Sequence, residues 1–153
     1  MHDLQTFAKS IYFFKKCDII KAEVDYMGEK ILLVVDDSTV ITNFVERVFK
    51  EDYQVLKAKD GIEAIELIRN NFTKEFVGMF LDLNMPNFNG FQVLETFKKN
   101  NLFQKIPVCI LTGDDTKDSI NKVFNYPIVD VLNKPFNEND LRKSLEKIKI
   151  RKS

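Results

Sequence analysis

A chain of 153 residues, 44% hydrophobic and 30% charged, has the size and composition of one globular domain with its own core. Lys plus Arg equals Asp plus Glu at 23 each, so no net charge draws the protein to nucleic acid or to an anionic membrane. We find no run close to the roughly 20 apolar residues of a membrane span, and no secretory signal is expected.

The cysteine and histidine content limits which disulfides and metal sites the chain can form. Cys17 and Cys109 are too few for a disulfide framework, and Cys109 lies in an apolar run where a buried free thiol is expected. A reducing, cytoplasmic location is therefore predicted. His2 is the single histidine, so no Cys and His cluster competes with oxygen ligands for a metal.

Residues 1–28 differ in pattern from the rest and are predicted to be an N-terminal extension. Between residues 3 and 16 an apolar side chain recurs every three or four positions, at Leu4, Phe7, Ala8, Ile11 and Phe14. This spacing predicts an amphipathic helix whose apolar stripe requires burial. Three interpretations stay open: a docking or dimerising helix, a linker from an upstream domain, or an upstream extension of a gene that starts at Met27.

Residues 29–150 alternate regularly between short apolar runs and helical patterns, and residues 151–153 are a predicted tail. The predicted strands are 30–36, 53–58, 76–82, 106–112 and 128–133. The predicted helices are 38–50, 61–72, 89–100, 115–125 and 137–149. Five such units predict a doubly wound α/β fold with a parallel sheet buried on both faces.

Helix boundaries and helix faces support this division. The predicted N-caps are Ser38, Asp60 with Gly61, Asn89 with Gly90, Asp114 or Asp115, and Asn137. The predicted core stripes include Val40, Phe44, Val45 and Val48 in the first helix, and Ile62, Ile65 and Ile68 in the second. These stripes indicate core packing rather than cofactor binding.

Four of the apolar runs end in hydrophilic side chains. Asp36 and Asp37 follow the first strand, Asp82 the third, Thr112 the fourth and Lys134 the fifth. The carboxyl ends of parallel strands meet at one edge of an open sheet, where such folds gather their polar chemistry. The sequence therefore predicts a site that contains three carboxylates, a hydroxyl and an ammonium.

Three neighbouring carboxylates repel one another unless a cation neutralises them. Oxygen ligands of this kind suit Mg²⁺ or Mn²⁺, which would leave coordination positions for phosphate oxygens. Asp36 and Asp37 alone could equally cap the helix that begins near Ser38. Together with Asp82 they favour a metal site.

Thr112 and Lys134 complete the predicted constellation. A phosphoryl group on Asp82 would present three oxygens, which the metal, Lys134 and Thr112 with nearby backbone N–H groups could bind. Asp82 is the preferred nucleophile because it stands alone after its strand. Taken singly, Lys134 could form a plain buried ion pair, and Thr112 could bond to the backbone.

Two prolines sit in turns beside these residues. The Lys134–Pro135 bond can be cis, which would direct the lysine into the site, or an ordinary trans strand end. Met85 and Pro86 predict a rigid turn before the helix that Asn89 and Gly90 open.

From about Lys30 to Ile150 the chain resembles the receiver domain of two-component response regulators, the CheY-like family. The resemblance rests on the acidic doublet, the run from Asp82 to Pro86 with Gly90 following, Thr112, and Lys134 with Pro135 and Phe136. It implies a flavodoxin-like sheet ordered 2-1-3-4-5 and a phosphoryl group passed from a histidine kinase or phosphotransfer protein to Asp82. It also implies Mg²⁺ held by Asp37, Asp82 and the backbone carbonyl of Asn84.

The resemblance also predicts a switch in which Thr112 moves and an aromatic residue on the fifth strand turns inward. The aromatic position is Val131 here, and Tyr126 and Pro127 replace the usual small residues before the strand. Either Thr112 and the backbone carry the response alone, or Tyr126 supplies a substitute ring. Asn84 and Asp114 occupy the positions that could orient attacking water and shorten the life of the phosphoryl group.

No DNA-binding segment follows the last predicted helix, so output through protein contact is expected, and the resemblance implies that helix 4, strand 5 and helix 5 form the contact surface. The chain could be a stand-alone receiver or one excised from a longer regulator, and homodimer formation stays open. A degenerate receiver that acts only as an interaction module is the main alternative. A phosphohydrolase is disfavoured because Asn84 cannot act as a general acid, and a mononucleotide binder because the acidic doublet would repel phosphate.

Overall fold

The computed structural model describes residues 30–113 and 116–152, where five strands alternate with five helices. The strands are β1 Ile31–Val35, β2 Gln54–Ala58, β3 Phe76–Asp82, β4 Val108–Thr112 and β5 Asp130–Asn133. The helices are α1 Thr39–Phe49, α2 Gly61–Asn70, α3 Gly90–Lys99, α4 Lys117–Val123 and α5 Glu138–Lys152.

The strands form one parallel sheet in the order β2-β1-β3-β4-β5. This order confirms the predicted doubly wound, flavodoxin-like fold. All residues of β1, β3 and β4 are buried, as expected for strands with helices on both faces. The topology brings the carboxyl ends of the strands to one edge of the sheet, called the carboxyl edge below; the opposite edge is called the amino edge.

Two hydrophobic cores lie on opposite faces of the sheet because successive side chains of a strand point to opposite sides. Ile31, Leu33 and Val35 pack with α2, α3 and α4. Leu32 and Val34 pack with α1 and α5. Helices α1 and α5 are therefore neighbours on one face of the sheet.

Four of the five predicted helix N-caps are confirmed. Ser38, Asp60 and Asn89 each accept a hydrogen bond from the backbone N–H three residues later, at 3.5, 2.8 and 3.1 Å. Asn137 and Asp140 bond each other's backbone N–H groups at 2.9 Å. These side chains bind N–H groups that have no partner within the helix.

The prediction for the fourth cap is wrong. Helix α4 begins at Lys117, and its N-cap is Thr116, whose hydroxyl accepts a hydrogen bond from the N–H of Ser119 at 3.4 Å. Asp114 and Asp115 lie outside the described residues. Three consecutive residues of good capping type cannot be told apart by propensity alone.

Two side chains predicted to belong to core stripes are exposed. Val40 is 75% exposed and Ile62 is 54% exposed. Each is the second residue of its helix, in the turn that leaves the carboxyl edge, where less of the sheet lies beneath it. Apolar residues keep their helical spacing in this turn, although the hydrophobic core does not extend beneath it.

Helix α5 extends to Lys152, three residues past the predicted end at 149. Arg151 and Lys152, assigned to a tail by sequence, belong to the helix and bond to the amino edge. Arg151 donates to the carbonyl of Ile128 at 3.2 Å. Lys152 donates to the carbonyl of Lys105 at 3.0 Å and to that of Phe76.

Residues 1–29, with the predicted helix 3–16 and Cys17, lie outside the described residues. Cys109 is a buried free thiol, as predicted. Within the described ranges, no helix combines the length and apolar character needed to cross a membrane.

Candidate functional site

Three carboxylates meet at the carboxyl edge of the sheet. Asp36 and Asp37 follow β1, and Asp82 is the last residue of the neighbouring strand β3. One oxygen from each carboxylate lies within 4.8 Å of the other two. Asp36 and Asp82 are buried, whereas Asp37 is exposed. The structure thus brings together the three acids that the sequence singled out, which we call the acidic cluster.

Backbone N–H groups fix the two buried carboxylates of the acidic cluster. Ser38 donates to Asp36 Oδ1 at 2.9 Å, and Asn84 donates to Asp82 Oδ1 at 3.1 Å. The N-cap of α1 is Ser38 itself, so capping does not explain the acidic doublet. The Oδ2 atoms of Asp36 and Asp82 both contact Lys134.

Lys134 follows β5 and lies against the acidic cluster. Its backbone N–H donates to the carbonyl of Thr112 at 2.7 Å. Its Nζ lies 2.7 Å from Asp36 Oδ2 and 3.5 Å from Asp82 Oδ2. The first contact is an ion pair that lacks the alignment of a hydrogen bond, and Asp36 Oδ2 has no other donor among the described residues. One ammonium thus pairs with two of the three carboxylates of the acidic cluster.

The surroundings raise the pKa of both Asp82 and Lys134. Burial, followed by the charge of Asp36, raises the pKa of Asp82 to about 6, although the Asn84 N–H and Lys134 act in the opposite direction. For Lys134, burial lowers the pKa, but contact with Asp36 and the charge of Asp82 outweigh it and raise the pKa. Asp82 is therefore an ionised but poorly stabilised carboxylate near neutral pH.

Thr112 ends β4 at the same edge. It is 1% exposed, and its strand pairs with β3 so that Asp82 lies opposite Leu111. Thr112, the next residue of β4, is therefore one position further toward the carboxyl edge than the pair formed by Asp82 and Leu111. The structure places Thr112 between the strand that ends in Asp82 and the strand that leads to Lys134.

The loop between β3 and α3 folds tightly around Asp82. Gly90 donates its N–H to the carbonyl of Leu83 at 3.1 Å. A Cβ atom on Gly90 would lie 2.5 Å from the carbonyl oxygen of Asp82, so only glycine allows this approach. Within the loop, Met85 is buried, Pro86 is exposed, and Asn87 has a φ of 67°. The loop thereby holds the backbone of Asp82.

The Lys134–Pro135 peptide bond is cis. This is one of the two geometries that the sequence left open at this position. Phe136 follows the bond, and its ring lies 6.2 Å from that of Phe44 on α1.

The two residues linked by sequence to an atypical switch are also located. Val131 is half-buried in the core that α2, α3 and α4 cover. The ring of Tyr126 lies 6.3 Å from that of Phe103, and its hydroxyl donates to Glu95 on α3. Burial and the hydrogen bond with Glu95 raise the pKa of Tyr126 to about 12. Tyr126 is thus tied to α3 rather than to the acidic cluster.

Two features near the site were missed from sequence. Lys134 is closer to Asp36 than to Asp82. The excess of acidic residues at this edge could have indicated that the lysine pairs with more than one carboxylate. An apolar groove lined by Val40, Phe44 and Phe136 lies between α1 and the start of α5. The spacing of Val40 and Phe44 appeared in the sequence but was assigned to the core.

The fold and the site together define the class of protein: a doubly wound parallel sheet with a buried acid at the end of β3, an acidic doublet after β1 and a lysine after β5. The model of the response regulator receiver domain family matches residues 32–146. The chain belongs to this family, as the sequence predicted. It is therefore a signalling protein of the two-component class.

Several relatives and solved structures are similar to this chain. The chemotaxis protein CheY1 of Helicobacter pylori is 32% identical over 119 residues, which cover 75% of this chain and 93% of CheY1. The probable transcriptional regulator ycf29 of Pyropia yezoensis is 34% identical, but the match covers 75% of this chain and only 50% of that protein. The crystallised CheY4 of Vibrio cholerae is 26% identical with a TM-score of 0.69, covering 78% of this chain and 98% of CheY4.

Proposed function

We propose that this protein is a phosphorylation switch in which Asp82 accepts a phosphoryl group with the help of Mg²⁺. The observation that carries the proposal is the acidic cluster: three carboxylate oxygens within 4.8 Å with a single paired ammonium. Such a cluster is costly unless a cation and a transferable anion complete it. Membership of the receiver family adds the expectation that a histidine kinase or phosphotransfer protein is the donor.

Asp82 suits the role of nucleophile better than its neighbours do. Asp36 and Asp82 each accept one backbone N–H, but Lys134 lies 2.7 Å from Asp36 and 3.5 Å from Asp82, so Asp82 is the less tightly paired of the two. A carboxylate with a pKa of about 6 is ionised at neutral pH and more basic than an ordinary one. An Asp82 oxygen would form the new bond to phosphorus while the bond from phosphorus to the donor's leaving atom breaks.

The donor set fits Mg²⁺ or Mn²⁺. Carboxylate oxygens at one concave edge are the ligands that these hard cations prefer. Asp37 and Asp82, with the backbone carbonyl of Asn84, would hold the cation, and Asp36 would lie behind them. When bound, it would neutralise charge on the acidic cluster and on the phosphoryl oxygens.

Lys134 and Thr112 would bind the phosphoryl oxygens. The Lys134 ammonium already lies 3.5 Å from Asp82 and is shared with Asp36. A phosphoryl group adds negative charge at Asp82, so the ammonium would move from Asp36 toward it. The Thr112 hydroxyl would be attracted by the same negative charge. The carbonyl of Thr112 accepts a hydrogen bond from the N–H of Lys134 at 2.7 Å.

We infer that the response reaches the surface of α4, β5 and α5 through this Thr112–Lys134 backbone link. Val131 has no ring to turn inward, and Tyr126 is bonded to Glu95 and packed on Phe103. These contacts favour the backbone route over Tyr126 as a substitute ring. A downstream protein would read the resulting change.

The direct test is to incubate the protein with Mg²⁺ and acetyl phosphate and to measure its intact mass. Wild type should gain one phosphoryl group, and Asp82→Asn should gain none because an amide is not a nucleophile here. Asp118→Asn, the same chemical change at an exposed position on α4, should be labelled like wild type. Chelation of Mg²⁺ with EDTA should prevent labelling.

Two results would contradict the proposal. Equal labelling of wild type and Asp82→Asn would move the acceptor to another residue. No labelling of wild type, in a protein that is folded by circular dichroism and still binds Mg²⁺, would favour a degenerate receiver that acts only as an interaction module.

A further inference from the structure

An apolar groove runs between α1 and the start of α5, beside the acidic cluster. Val40, Ile41, Phe44, Pro135 and Phe136 line it around a volume of about 530 Å³. Exposed apolar surface of this kind, concentrated in a concave site, marks an interaction surface. We call it the α1–α5 groove.

The face between α1 and α5 continues below this groove toward the amino edge. A second cavity of about 550 Å³ lies there, lined by Asp52 and Tyr53 after α1 and, on α5, by the basic residues Arg142, Lys143 and Lys149 with the acidic Glu146. Arg142 lines this second cavity and donates to the carbonyl of Val48 on α1 at 3.2 Å. One face thus has an apolar upper part and a lower part with exposed basic side chains.

We propose that residues 3–16 of this chain bind as an amphipathic helix in the α1–α5 groove, with residues 17–29 following the basic lower part. The apolar stripe at spacings of three and four in this segment matches an apolar groove between two helices. Residues 17–29 contain four acidic and one basic side chain, and the lining of the lower cavity contains three basic and two acidic side chains, so the two carry net charges of opposite sign.

The connection to the domain permits this arrangement. The segment joins the domain at Lys30, immediately before β1, which is the second strand of the sheet. The path from there to the carboxyl edge is the length of β1, roughly 17 Å at about 3.3 Å per residue. Residues 17–29 can span roughly 43 Å when extended. The stripe can therefore reach the groove with chain to spare.

This docking has one consequence that rests on the proposed function. The groove lies beside the acidic cluster rather than over it, because its lining continues directly from Lys134 into Pro135 and Phe136. Docking in the groove would therefore leave Asp82 open to a small donor such as acetyl phosphate.

A spin label on Cys17 of the full chain tests the docking itself. The other cysteine, Cys109, is 0% exposed and will not react. Amide resonances of Thr39–Phe44 in α1 should broaden at least several-fold more than those of Gly61–Ile65 in α2. These two sets lie at the same edge on opposite faces of the sheet, so free motion of the segment would broaden them equally.

Matched charge substitutions in the segment provide the control. Ile11→Asp places a charge in the apolar stripe and should remove the difference between α1 and α2. Gln5→Asp adds the same charge outside the apolar stripe of the predicted helix and should preserve it. Neither residue belongs to the described core, and both variants should accept a phosphoryl group from acetyl phosphate like wild type.

Three results would overturn the docking proposal. Equal broadening of both faces would show an undocked segment, and selective broadening elsewhere would show another binding surface. Broadening that appears only when spin-labelled and isotope-labelled chains are mixed would identify a second copy as the occupant. Failure of acetyl phosphate labelling would contradict the proposed function without affecting the docking result.

Discussion

The two edges of the sheet pair their charged side chains in opposite ways. At the amino edge, Lys152 donates to the carbonyls of Phe76 and Lys105, so its charge meets polar backbone groups that need a donor. At the carboxyl edge, Asp36 and Asp82 are buried beside Asp37 and share the single ammonium of Lys134.

The difference between the edges separates structural charge from functional charge. A cation that donates hydrogen bonds to backbone carbonyls helps to close the fold and needs no further partner. Buried anions in excess of their cations destabilise the fold until a ligand arrives, which is the expected condition of a binding site. Substitutions at the two edges should therefore change stability in opposite directions.

The largest expected effect is a gain in stability when Asp82 is replaced by Asn in metal-free protein. The pKa of Asp82 in the folded state is about 6, above its ordinary value, so the folded protein binds more protons than the unfolded chain between about pH 4 and pH 6. Stability from this group is present below that window and lost as the pH rises through it. At about pH 8, Asp82→Asn should be more stable by up to roughly 3 kcal/mol.

Urea unfolding in EDTA at about pH 4 and about pH 8 measures this effect. The two proteins should be nearly equal at the lower pH and differ at the higher pH. Glu66→Gln, at an exposed position on α2, is the matched control and should change stability by less than about 0.5 kcal/mol. A loss of stability in Asp82→Asn at the higher pH would show that Asp82 is a structural charge.

Asp37→Asn should weaken Mg²⁺ binding by about 100-fold. A carboxylate and a cation in contact near a surface interact by several kcal/mol, and each tenfold change in affinity is about 1.4 kcal/mol. Isothermal titration calorimetry of wild type, Asp37→Asn and Asp118→Asn, an exposed acid outside the acidic cluster, measures the change. Equal affinity of all three would remove Asp37 from the metal site.

Lys152→Ala should lower stability by about 2 kcal/mol, because two carbonyls at the amino edge lose their donor. Lys143→Ala removes the same side chain from an exposed position of the same helix and should change stability by less than about 0.5 kcal/mol. Urea unfolding compares them. If the two variants were equally stable, the amino edge would not depend on Lys152.

The smallest expected effect concerns Tyr126, which belongs to neither edge. Tyr126→Phe loses the hydrogen bond with Glu95 and should cost about 1 kcal/mol. The variant should show the same beryllofluoride-induced chemical shift changes in α4 and β5 as wild type, because the backbone route does not use this ring. Loss of those changes would identify Tyr126 as the switch residue.

Sequence was sufficient for the fold because five apolar runs, each followed by a helical pattern, leave few arrangements of a parallel sheet. It was also sufficient for bringing Asp36, Asp37 and Asp82 together, since strand ends in such a sheet converge. It failed for Val40 and Ile62, because periodicity does not show where the sheet beneath a helix ends. The Asp36–Lys134 pairing needed coordinates, since the distances within the cluster are set by side-chain geometry.

The helix ends were predicted unevenly for a physical reason. Ser38, Asp60 and Asn89 are caps that follow directly from their side-chain chemistry. The end of α5 depends instead on Arg151 and Lys152, which bond to carbonyls of Ile128, Lys105 and Phe76, all distant in sequence. Local propensity carries no information about such contacts.

The most direct test of the account is a crystal structure with Mg²⁺ and beryllofluoride. We predict the cation on Asp37, Asp82 and the carbonyl of Asn84, and beryllofluoride on Asp82 in contact with Thr112 and Lys134. A structure in which the carboxylate of Asp82 points away from those of Asp36 and Asp37, or in which the cation binds elsewhere, would contradict it.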